Sequence, residues 1–407
     1  MSKIVITGMG AITPVGIGME NYWNNLTSGV SGIDKIKSFD PSELAIQIAG
    51  EVKDYTPSDY LPKDLIRKTD PFMQFAYIAA EEALKMANLE IEPTRTGIVM
   101  GTAMSGIATI AFTQEALTGA SHKKVGPRFI PKILGNVAAA NIAIEYNIQG
   151  PSFTVSTACS SGGDAINTAA MCLKSGKADV MLAIGAESVL CPLVIYSLGN
   201  AKALSRNNDN PQGASRPFDK DRDGFVIGEG GGALILETEE HALKRGATIY
   251  AELLGCGNTC DAHHVTAPHP EGRGAADCMK LALEDAGITA DKVGYINAHG
   301  TATPKGDTVE TKAIKEVFKD NIPLVSSTKG ATGHMMGAGG VTEVITCIKA
   351  LETGVIPPTI NLDTPDDECD LDYVANVARK VDVDVAMSNS FGFGGQNSTI
   401  IVGKYKG

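Results

Sequence analysis

Phe153-Thr-Val-Ser-Thr-Ala-Cys-Ser-Ser-Gly-Gly163 decides the fold, because this stretch joins a strand pattern to a helix pattern through a cysteine. β-favouring or small residues lead in, and the apolar spacing of a helix follows from Asp164 to Leu173. The strand therefore delivers the thiol of Cys159 onto a sharp turn at a helix N-terminus, where peptide dipoles favour thiolate over thiol. This arrangement is typical of an activated nucleophile. The alternative is a buried cysteine that packs as a small hydrophobic residue.

Short apolar strand patterns alternate with helix patterns along most of the chain. Apolar strands without polar alternation indicate sheets that are covered on both faces. The sequence therefore predicts an α/β fold with helical layers on its sheets. The clearest strand patterns span residues 4–6, 96–99, 153–155 and 180–184, and the clearest helix patterns span residues 76–87, 164–173 and 275–286.

An internal similarity predicts two related halves. Residues 4–10 resemble residues 250–257, and the turn at Cys159 has a counterpart at residues 326–334. Related halves would bring both turns to one central site, with the nucleophilic cysteine in the first half and the candidate histidines and lysine in the second. The expected halves are residues 1–245 and residues 246–407.

Composition narrows the class of protein. The chain has 407 residues, of which 43% are hydrophobic, and this is enough for two domains or two fused halves. A formal net charge of −12 argues against general nucleic-acid binding. No stretch has the length of a membrane-spanning helix, and the N-terminus lacks the pattern of a signal peptide. Eight scattered cysteines without a CxxC pair indicate a reducing compartment, so we expect a soluble cytoplasmic protein.

His299 comes at the end of an apolar strand pattern, just before a glycine. Catalytic side chains often project from strand ends into a shared crevice. The alternative for a lone histidine is a structural, hydrogen-bonded role. Thr301 and Thr303 follow closely and are candidates to line a polar channel.

Lys329 and His334 lie five residues apart in the second turn. Lys329 ends a strand pattern, where a buried ammonium needs a partner, and Glu343 in the following helix is the candidate. We place His334 at the start of that helix, whose N-terminus disfavours a positive charge and keeps the imidazole neutral. A neutral imidazole can donate a hydrogen bond to a developing oxyanion.

Residues 388–396 read as a strand that glycines interrupt. Gly392 and Gly394 permit unusual backbone conformations and can present amides outward. Phe393 between them is either a core aromatic or a gate on a pocket.

Three further patterns resemble cofactor sites and fail on spacing. Asp219 begins a sequence like a calcium loop, but its twelfth position is Gly230 rather than glutamate. The cysteines and histidines of residues 256–269 match no common zinc spacing. A GxG at residues 8–10 lacks the third glycine of a dinucleotide fingerprint. We therefore expect neither a metal nor a cofactor.

Taken together, Cys159, His299, Lys329, His334 and the Gly-Phe-Gly-Gly turn at 392–395 resemble the β-ketoacyl-acyl carrier protein synthases. The resemblance covers essentially the whole chain and is strongest to the elongating enzymes of type II bacterial fatty acid synthesis. It implies a thiolase-like fold, in which two similar halves form a five-layered αβαβα sandwich, assembled as a homodimer.

The resemblance also implies the chemistry. Cys159 would take an acyl chain from a carrier protein, and its backbone N–H with that of Phe393 would form the oxyanion hole. Malonyl-carrier protein would then lose carbon dioxide, and His299 and His334 would stabilise the resulting enolate. Lys329 would organise the site with Glu343 rather than act as a base.

Other positions follow from the resemblance. Met104 would line the acyl pocket, Phe129 would reach it across the dimer, and Phe393 would be the gate. Gly330-Ala331, Gln396 and Arg128 depart from the family pattern and leave the acyl-chain preference open. An acidic carrier protein would need a local basic patch on this acidic chain. The candidates for that patch are Lys63, Arg67, Lys68, Lys123, Lys124, Arg128 and Lys202.

Several functions therefore remain open beside fatty acid elongation. A ketosynthase of a type II polyketide or polyene pathway would use the same chemistry, alone or as a heterodimer with a chain-length partner. A non-catalytic chain-length subunit would lack the active cysteine, so Cys159 argues against it. A coenzyme A thiolase would carry a second cysteine near the C-terminal glycine loop, where Phe391 and Phe393 stand instead. A Cys-His hydrolase would need an open path for water.

Overall fold

The computed structural model describes residues 3–119 and 125–407. Its strands are β1 (Ile4–Thr13), β2 (Gly16–Ile17), β3 (Asp34–Lys35), β4 (Ile48–Ala49), β5 (Thr96–Gly101), β6 (Ser152–Val155), β7 (Val180–Glu187), β8 (Gly230–Thr238), β9 (Ala251–Cys260), β10 (Tyr295–Asn297), β11 (Leu324–Ser326), β12 (Val355–Ile356), β13 (Arg379–Lys380), β14 (Val385–Phe391) and β15 (Gln396–Gly403).

Helices cover much of the rest of the chain. They are α1 (Met19–Thr27), α2 (Pro57–Tyr60), α3 (Lys63–Lys68), α4 (Pro71–Ala87), α5 (Ile107–Gly119), α6 (Phe129–Ile133), α7 (Asn136–Tyr146), α8 (Ser161–Lys174), α9 (Pro192–Asn200), α10 (Glu239–Lys244), α11 (Arg273–Ala286), α12 (Pro304–Phe318), α13 (Lys329–Thr332) and α14 (Gly339–Thr353). All the strand and helix patterns singled out in the sequence are confirmed.

One mixed sheet runs through the molecule in the order β11-β10-β14-β15-β9-β1-β8-β7-β5-β6, with β2 paired to β1. Its two ends have the same design. Strands β6, β5 and β7 are parallel and β8 is antiparallel, while β11, β10 and β14 are parallel and β15 is antiparallel. The ends meet where Ile4–Ile6 of β1 pair with Ala251–Leu253 of β9. These two strands hold equivalent positions, as the internal similarity predicted.

Helices and the two ends of the sheet form five layers. On one outside, α4 packs on β1, β7 and β8, and α7 packs on β5 and β6. On the other outside, α11 packs on β9 and β15, and α12 packs on α11. Between them, α8 packs on β5 and β7, α14 packs on β10, β14 and β15, and α8 and α14 contact each other. The predicted α/β fold with an αβαβα sandwich is confirmed. The boundary at residue 245 stays a prediction.

The two central helices approach unusually closely at their first turns. A Cβ added at Gly340 would lie 2.5 Å from the backbone N of Gly163, and one added at Gly162 would lie 2.8 Å from the carbonyl O of Gly337. Such distances leave no room for a side chain. The beginnings of α8 and α14 are therefore in backbone contact, which brings the turn before α8 against the turn before α14.

Candidate active site

Cys159 lies on a strained turn between β6 and α8. The residues Ala158–Ser160 form one turn of 3₁₀ helix, and α8 begins at Ser161. Ala158 has φ of 51°, a left-handed conformation that costs a non-glycine residue about 1–3 kcal/mol. The sharp turn that the sequence predicts is therefore present, and strain in the residue before the cysteine is part of it.

The structure brings Cys159, His299 and His334 together. The sulfur of Cys159 and a ring nitrogen of each histidine all lie within 4.8 Å of one another. The two imidazole centroids are 5.3 Å apart with ring planes at 88°. The two turns predicted to share a central site therefore do so, with one half of the sheet supplying the thiol and the other supplying both imidazoles.

Both imidazoles are held neutral. Burial lowers the pKa of His299 and of His334 well below the usual value, and the positive charge of Lys329 lowers both further. Within residues 3–119 and 125–407, Nδ1 of His299 and both ring nitrogens of His334 are buried without a hydrogen-bond partner. These nitrogens can therefore bond to an incoming group without first giving up a bond to the protein.

The position of His334 differs from the expectation. It lies between α13 and a 3₁₀ turn at Met336–Ala338, five residues before α14 begins, rather than at a helix start. Its backbone N–H donates to Val226 O at 2.7 Å, and its ring meets Phe225 edge-on at a centroid distance of 5.3 Å. The imidazole is neutral, as predicted, but burial and Lys329 are the cause, and not a helix dipole.

The predicted lowering of the cysteine pKa is wrong. Burial, with a smaller contribution from the charge of Glu187, raises the pKa of the Cys159 thiol to about 11. Backbone N–H groups of Phe393 and Cys159 and the charge of Lys329 oppose this rise without overcoming it. The desolvation of a fully enclosed sulfur outweighs the favourable dipoles at a helix N-terminus. At rest, Cys159 is therefore a thiol beside two neutral imidazoles.

Lys329 and Glu343 form a buried ion pair. The side chains are 2% and 4% exposed, and Nζ of Lys329 contacts Oε1 of Glu343. The structure thus places Glu343 against the lysine for which the sequence proposed it. Lys329 does not end a strand, because β11 stops at Ser326 and Lys329 opens the short helix α13. Its charge acts on Cys159 and both histidines through their pKa values.

The glycine segment is a hairpin rather than one interrupted strand. Strand β14 ends at Phe391 and β15 begins at Gln396, and the turn between them packs on the cysteine turn. A Cβ at Gly392 would lie 2.7 Å from Thr157 O and 3.2 Å from Cys159 N. Gly394 has φ of 90°, and its N–H donates to Val265 O at 2.7 Å. The side chain of Phe393 remains 38% exposed at this turn, while its backbone N–H faces the sulfur.

A buried carboxylate that the sequence reasoning missed supports His299. Glu310 on α12 accepts the backbone N–H of His299 and that of Gly300, each at 2.8 Å. Burial raises the pKa of Glu310 to about 7. Thr301 and Thr303 lie on the loop that follows, with their hydroxyls 3.2 Å apart. A glutamate on an amphipathic helix gives no local signal of burial, so only the fold reveals this contact.

Apolar side chains pack around Cys159. Cys159 belongs to a buried cluster with Leu190 and Ile195, against which Met104 and Ile107 pack. A second missed carboxylate, Glu187, holds the turn that carries Met104. It accepts the N–H of Met104 at 3.1 Å and that of Ala103 at 2.6 Å, and it also accepts from Gly337 at 3.2 Å. The sequence did give a signal for Glu187, because this acid ends the otherwise apolar strand β7.

Phe129 does not belong to the apolar cluster around Cys159 of its own chain. It opens α6 and lines an exposed groove with Arg67, Arg128 and Lys132. Among the described residues, no acidic side chain lines that groove. Lys63, Arg67 and Lys68 share α3 and are exposed, whereas Lys202 is exposed on a turn away from the groove. Lys123 and Lys124 lie outside the described residues.

The remaining cysteines and the calcium-like sequence have structural explanations. All eight cysteines are described, and none is in a disulfide. Asp219 is buried and accepts the N–H groups of Asp363 and Thr364 at 2.8 Å and bonds Arg216 at 3.0 Å. Its carboxylate is thus occupied by the protein itself.

Comparisons with known proteins agree with this architecture. Family models for the N-terminal and C-terminal domains of β-ketoacyl synthases match residues 1–242 and 250–363. Proteins named 3-oxoacyl-(acyl-carrier-protein) synthase 2 are 45% identical in Coxiella burnetii and 44% identical in Synechocystis, and each match covers 99% of this chain and 98% of the relative.

Solved structures give the same result. The ishigamide ketosynthase/chain-length factor superposes with a TM-score of 0.94 at 35% identity and covers 99% of both chains. A type II polyketide ketosynthase solved with its acyl-carrier protein superposes with a TM-score of 0.90 at 34% identity over 100% of both chains. The chain belongs to the β-ketoacyl synthase family, and the resemblance drawn from its motifs is confirmed.

Proposed function

We propose that this protein catalyses decarboxylative Claisen condensation between an acyl chain on Cys159 and malonyl-acyl carrier protein in fatty acid elongation. One observation carries the proposal. A buried thiol lies within 4.8 Å of a ring nitrogen of each of two neutral imidazoles, and three of their four nitrogens are buried without a partner among the described residues. Two neutral donors converging near a nucleophile suit a reaction in which an oxyanion forms and disappears.

In the first half-reaction the thiol attacks the thioester of an acyl-carrier protein. Its pKa of about 11 means that the proton must leave as the carbon–sulfur bond forms, and a neutral imidazole is in reach to take it. The N–H groups of Cys159 and Phe393 stabilise the tetrahedral oxyanion. The carrier thiol departs with a proton, and the acyl group remains on Cys159.

In the second half-reaction malonyl-carrier protein loses carbon dioxide. The electron pair of the broken carbon–carbon bond becomes an enolate, and His299 and His334 donate hydrogen bonds to its oxygen. The enolate carbon then attacks the acyl thioester, and the Cys159 thiolate leaves and regains a proton. Burial and, to a smaller extent, the charge of Lys329, which Glu343 fixes, keep both imidazoles neutral, and each neutral imidazole can donate one N–H.

The apolar cluster around Cys159 and Met104 suits a hydrocarbon chain. Phe393 at the hairpin suits a gate, because its ring is exposed while its backbone faces the sulfur. Arg67, Arg128 and Lys132 suit an acidic carrier protein, because they line one groove in which the described lining residues include no acid, and the one ion pair of Arg67 with Asp64 is exposed. Lys63 and Lys68 extend this basic surface along α3.

A homodimer is the assembly that we propose. Strand β6 ends the sheet, and Phe153 on it is 46% exposed. Met171 on the central helix α8 is 54% exposed. An open sheet edge beside exposed apolar side chains is a surface that a second copy covers, and Phe129 could then reach a partner's pocket. Light scattering should give a dimer mass for the wild type, and a monomeric wild type would contradict this assembly.

Polyketide synthesis is the second candidate, because one similar structure is a type II polyketide ketosynthase and another is a ketosynthase/chain-length factor. A heterodimer with a chain-length partner belongs to that candidate. Among the described helices, none has the length and apolar character that a bilayer crossing requires. We propose a cytoplasmic location, which suits eight unpaired cysteines.

The test combines mass spectrometry with two variants. Wild type incubated with an acyl-carrier protein should gain the acyl mass on Cys159, and a ladder of primers with malonyl-carrier protein should give products two carbons longer. Cys159→Ala should form no product. Cys159→Gln should release carbon dioxide from malonyl-carrier protein without condensation. Condensation by the alanine variant would refute the proposal, and iterative growth without reduction would favour polyketide synthesis.

A further inference from the structure

We propose that Cys159, His299 and His334 also form a binding site for a thiophilic divalent cation such as Zn²⁺, which blocks the nucleophile reversibly. One sulfur and two imidazole nitrogens lie within 4.8 Å of one another. Across residues 3–119 and 125–407, this is the one group of three or more metal-ligating side chains that converge in this way. The inference goes beyond condensation, because metal binding needs no substrate.

The donor set has the chemistry of a zinc site. One thiolate and two imidazoles are ligands that zinc prefers, and three protein ligands leave a fourth position open. With Zn–S of about 2.3 Å and Zn–N of about 2.0–2.1 Å, tetrahedral ligands stand about 3.3–3.6 Å apart. The donors are now at most 4.8 Å apart, so they need to close by at most about 1.2–1.5 Å to bind a tetrahedral ion.

The nitrogen ligands are available for a metal, because the protein uses none of the three buried nitrogens named above. The thiol has to lose its proton when it becomes a ligand, so metal binding should release a proton. The neighbouring Lys329 ammonium is offset by Glu343, and Glu187 adds negative charge near the sulfur.

The surroundings predict moderate affinity rather than a resident cofactor. Zinc-binding histidines usually donate their second N–H to an acceptor that raises affinity about 10–100-fold. In the described part of the chain, both nitrogens of His334 lack any such partner. An acyl thioester on Cys159 also removes the thiolate ligand. Metal binding and acylation of Cys159 should therefore exclude each other. The metal should inhibit only the enzyme that carries no acyl chain.

Cobalt(II) titration of the purified full-length protein tests the site, in the absence of any carrier protein. The Cys260→Ser background removes the exposed cysteine, and its sulfur lies outside the cluster. We expect one Co²⁺ per chain, with a thiolate-to-cobalt charge-transfer band and the visible bands of a tetrahedral ion. Added Zn²⁺ should displace the cobalt.

Three comparisons make the outcome decisive. Cys159→Ala should abolish the charge-transfer band, and His334→Gln should weaken binding by more than 100-fold. His264→Gln, which changes a histidine in an exposed loop, should leave binding unaltered. Prior acylation of Cys159 should also prevent binding. This comparison uses the folded parent protein, so it tests the site even if a variant fails to fold. A band that survives in Cys159→Ala, or no band in the parent protein, would overturn the inference while leaving the condensation assay untouched.

Discussion

Replacement of Gly392 by alanine should disable acyl transfer while leaving the protein folded. The added Cβ would lie 2.7 Å from Thr157 O, where ordinary contacts begin at 3.4 Å, so the hairpin must retreat by about 0.7 Å. Both neighbours on that side are backbone atoms of the cysteine turn, and neither can rotate away. The retreat carries the N–H of Phe393 away from the oxyanion hole.

The size of the effect follows from what that N–H does. Misplacement of a reacting group by an ångström costs about 10²-fold, and loss of one oxyanion donor costs about 10²–10³-fold. We therefore expect acylation of Cys159 to slow by about 10²-fold, which is about 2.7 kcal/mol in the activation barrier. Decarboxylation should slow much less, because the histidines are not on the hairpin.

The assay is the rate at which intact-mass spectrometry detects the acyl adduct. Gly287→Ala is the matched control. It places a Cβ at a glycine with φ of 64° and open space around it, so it costs stability without touching the site. It should acylate at the wild-type rate. If Gly392→Ala also acylates at the wild-type rate, the hairpin does not position an oxyanion donor.

Three further predictions concern the charged and titrating groups of the site. His334→Ala should reduce malonyl decarboxylation by about 10²–10³-fold and acyl transfer less, and a decarboxylation assay that shows the reverse order would contradict its role. Glu343→Ala should lower the free energy of unfolding by about 3–5 kcal/mol, because it leaves the Lys329 ammonium buried and unpaired. Glu343→Leu combined with Lys329→Met should restore much of that stability in urea titrations but not activity, and recovered activity would show that the charge is dispensable. Alkylation of Cys159 by a neutral reagent should accelerate about tenfold per pH unit between pH 7 and 10, because its pKa is raised to about 11 and the thiolate fraction grows throughout that range. A plateau near pH 8 would mean that the thiol is activated in the resting state.

Local sequence was enough to locate the main elements and the turn between β6 and α8 that carries Cys159. The strand-to-helix switch at residues 153–163 depends on neighbouring residues, so it can be read without the fold. The pairing of Lys329 with Glu343 was also inferable, because a buried ammonium has few candidate partners along the next helix. The roles of the site residues in the reaction came from the family resemblance, and those roles remain predictions.

The other features of the site depend on how deeply its groups are buried, and local sequence patterns do not indicate burial depth. The pKa of Cys159 rises because distant segments enclose the sulfur, and that enclosure reverses the expectation drawn from the helix dipole. Glu310 looks like an ordinary charged position until the fold buries it against the backbone of His299. Ala158 shows the limit most plainly, since an alanine in a left-handed conformation is not the residue that a turn rule selects.

The contact between the first turns of α8 and α14 fixes where Cys159 lies relative to the two histidines. Thiol and imidazoles belong to opposite ends of the sheet, and the glycines at 162 and 340 let the two peptide backbones touch. Alignment of the reacting atoms is therefore set by main chain against main chain, which has far less freedom than side-chain packing. Substitutions in the apolar cluster around Cys159 or in the exposed groove at Phe129 should therefore leave that alignment undisturbed.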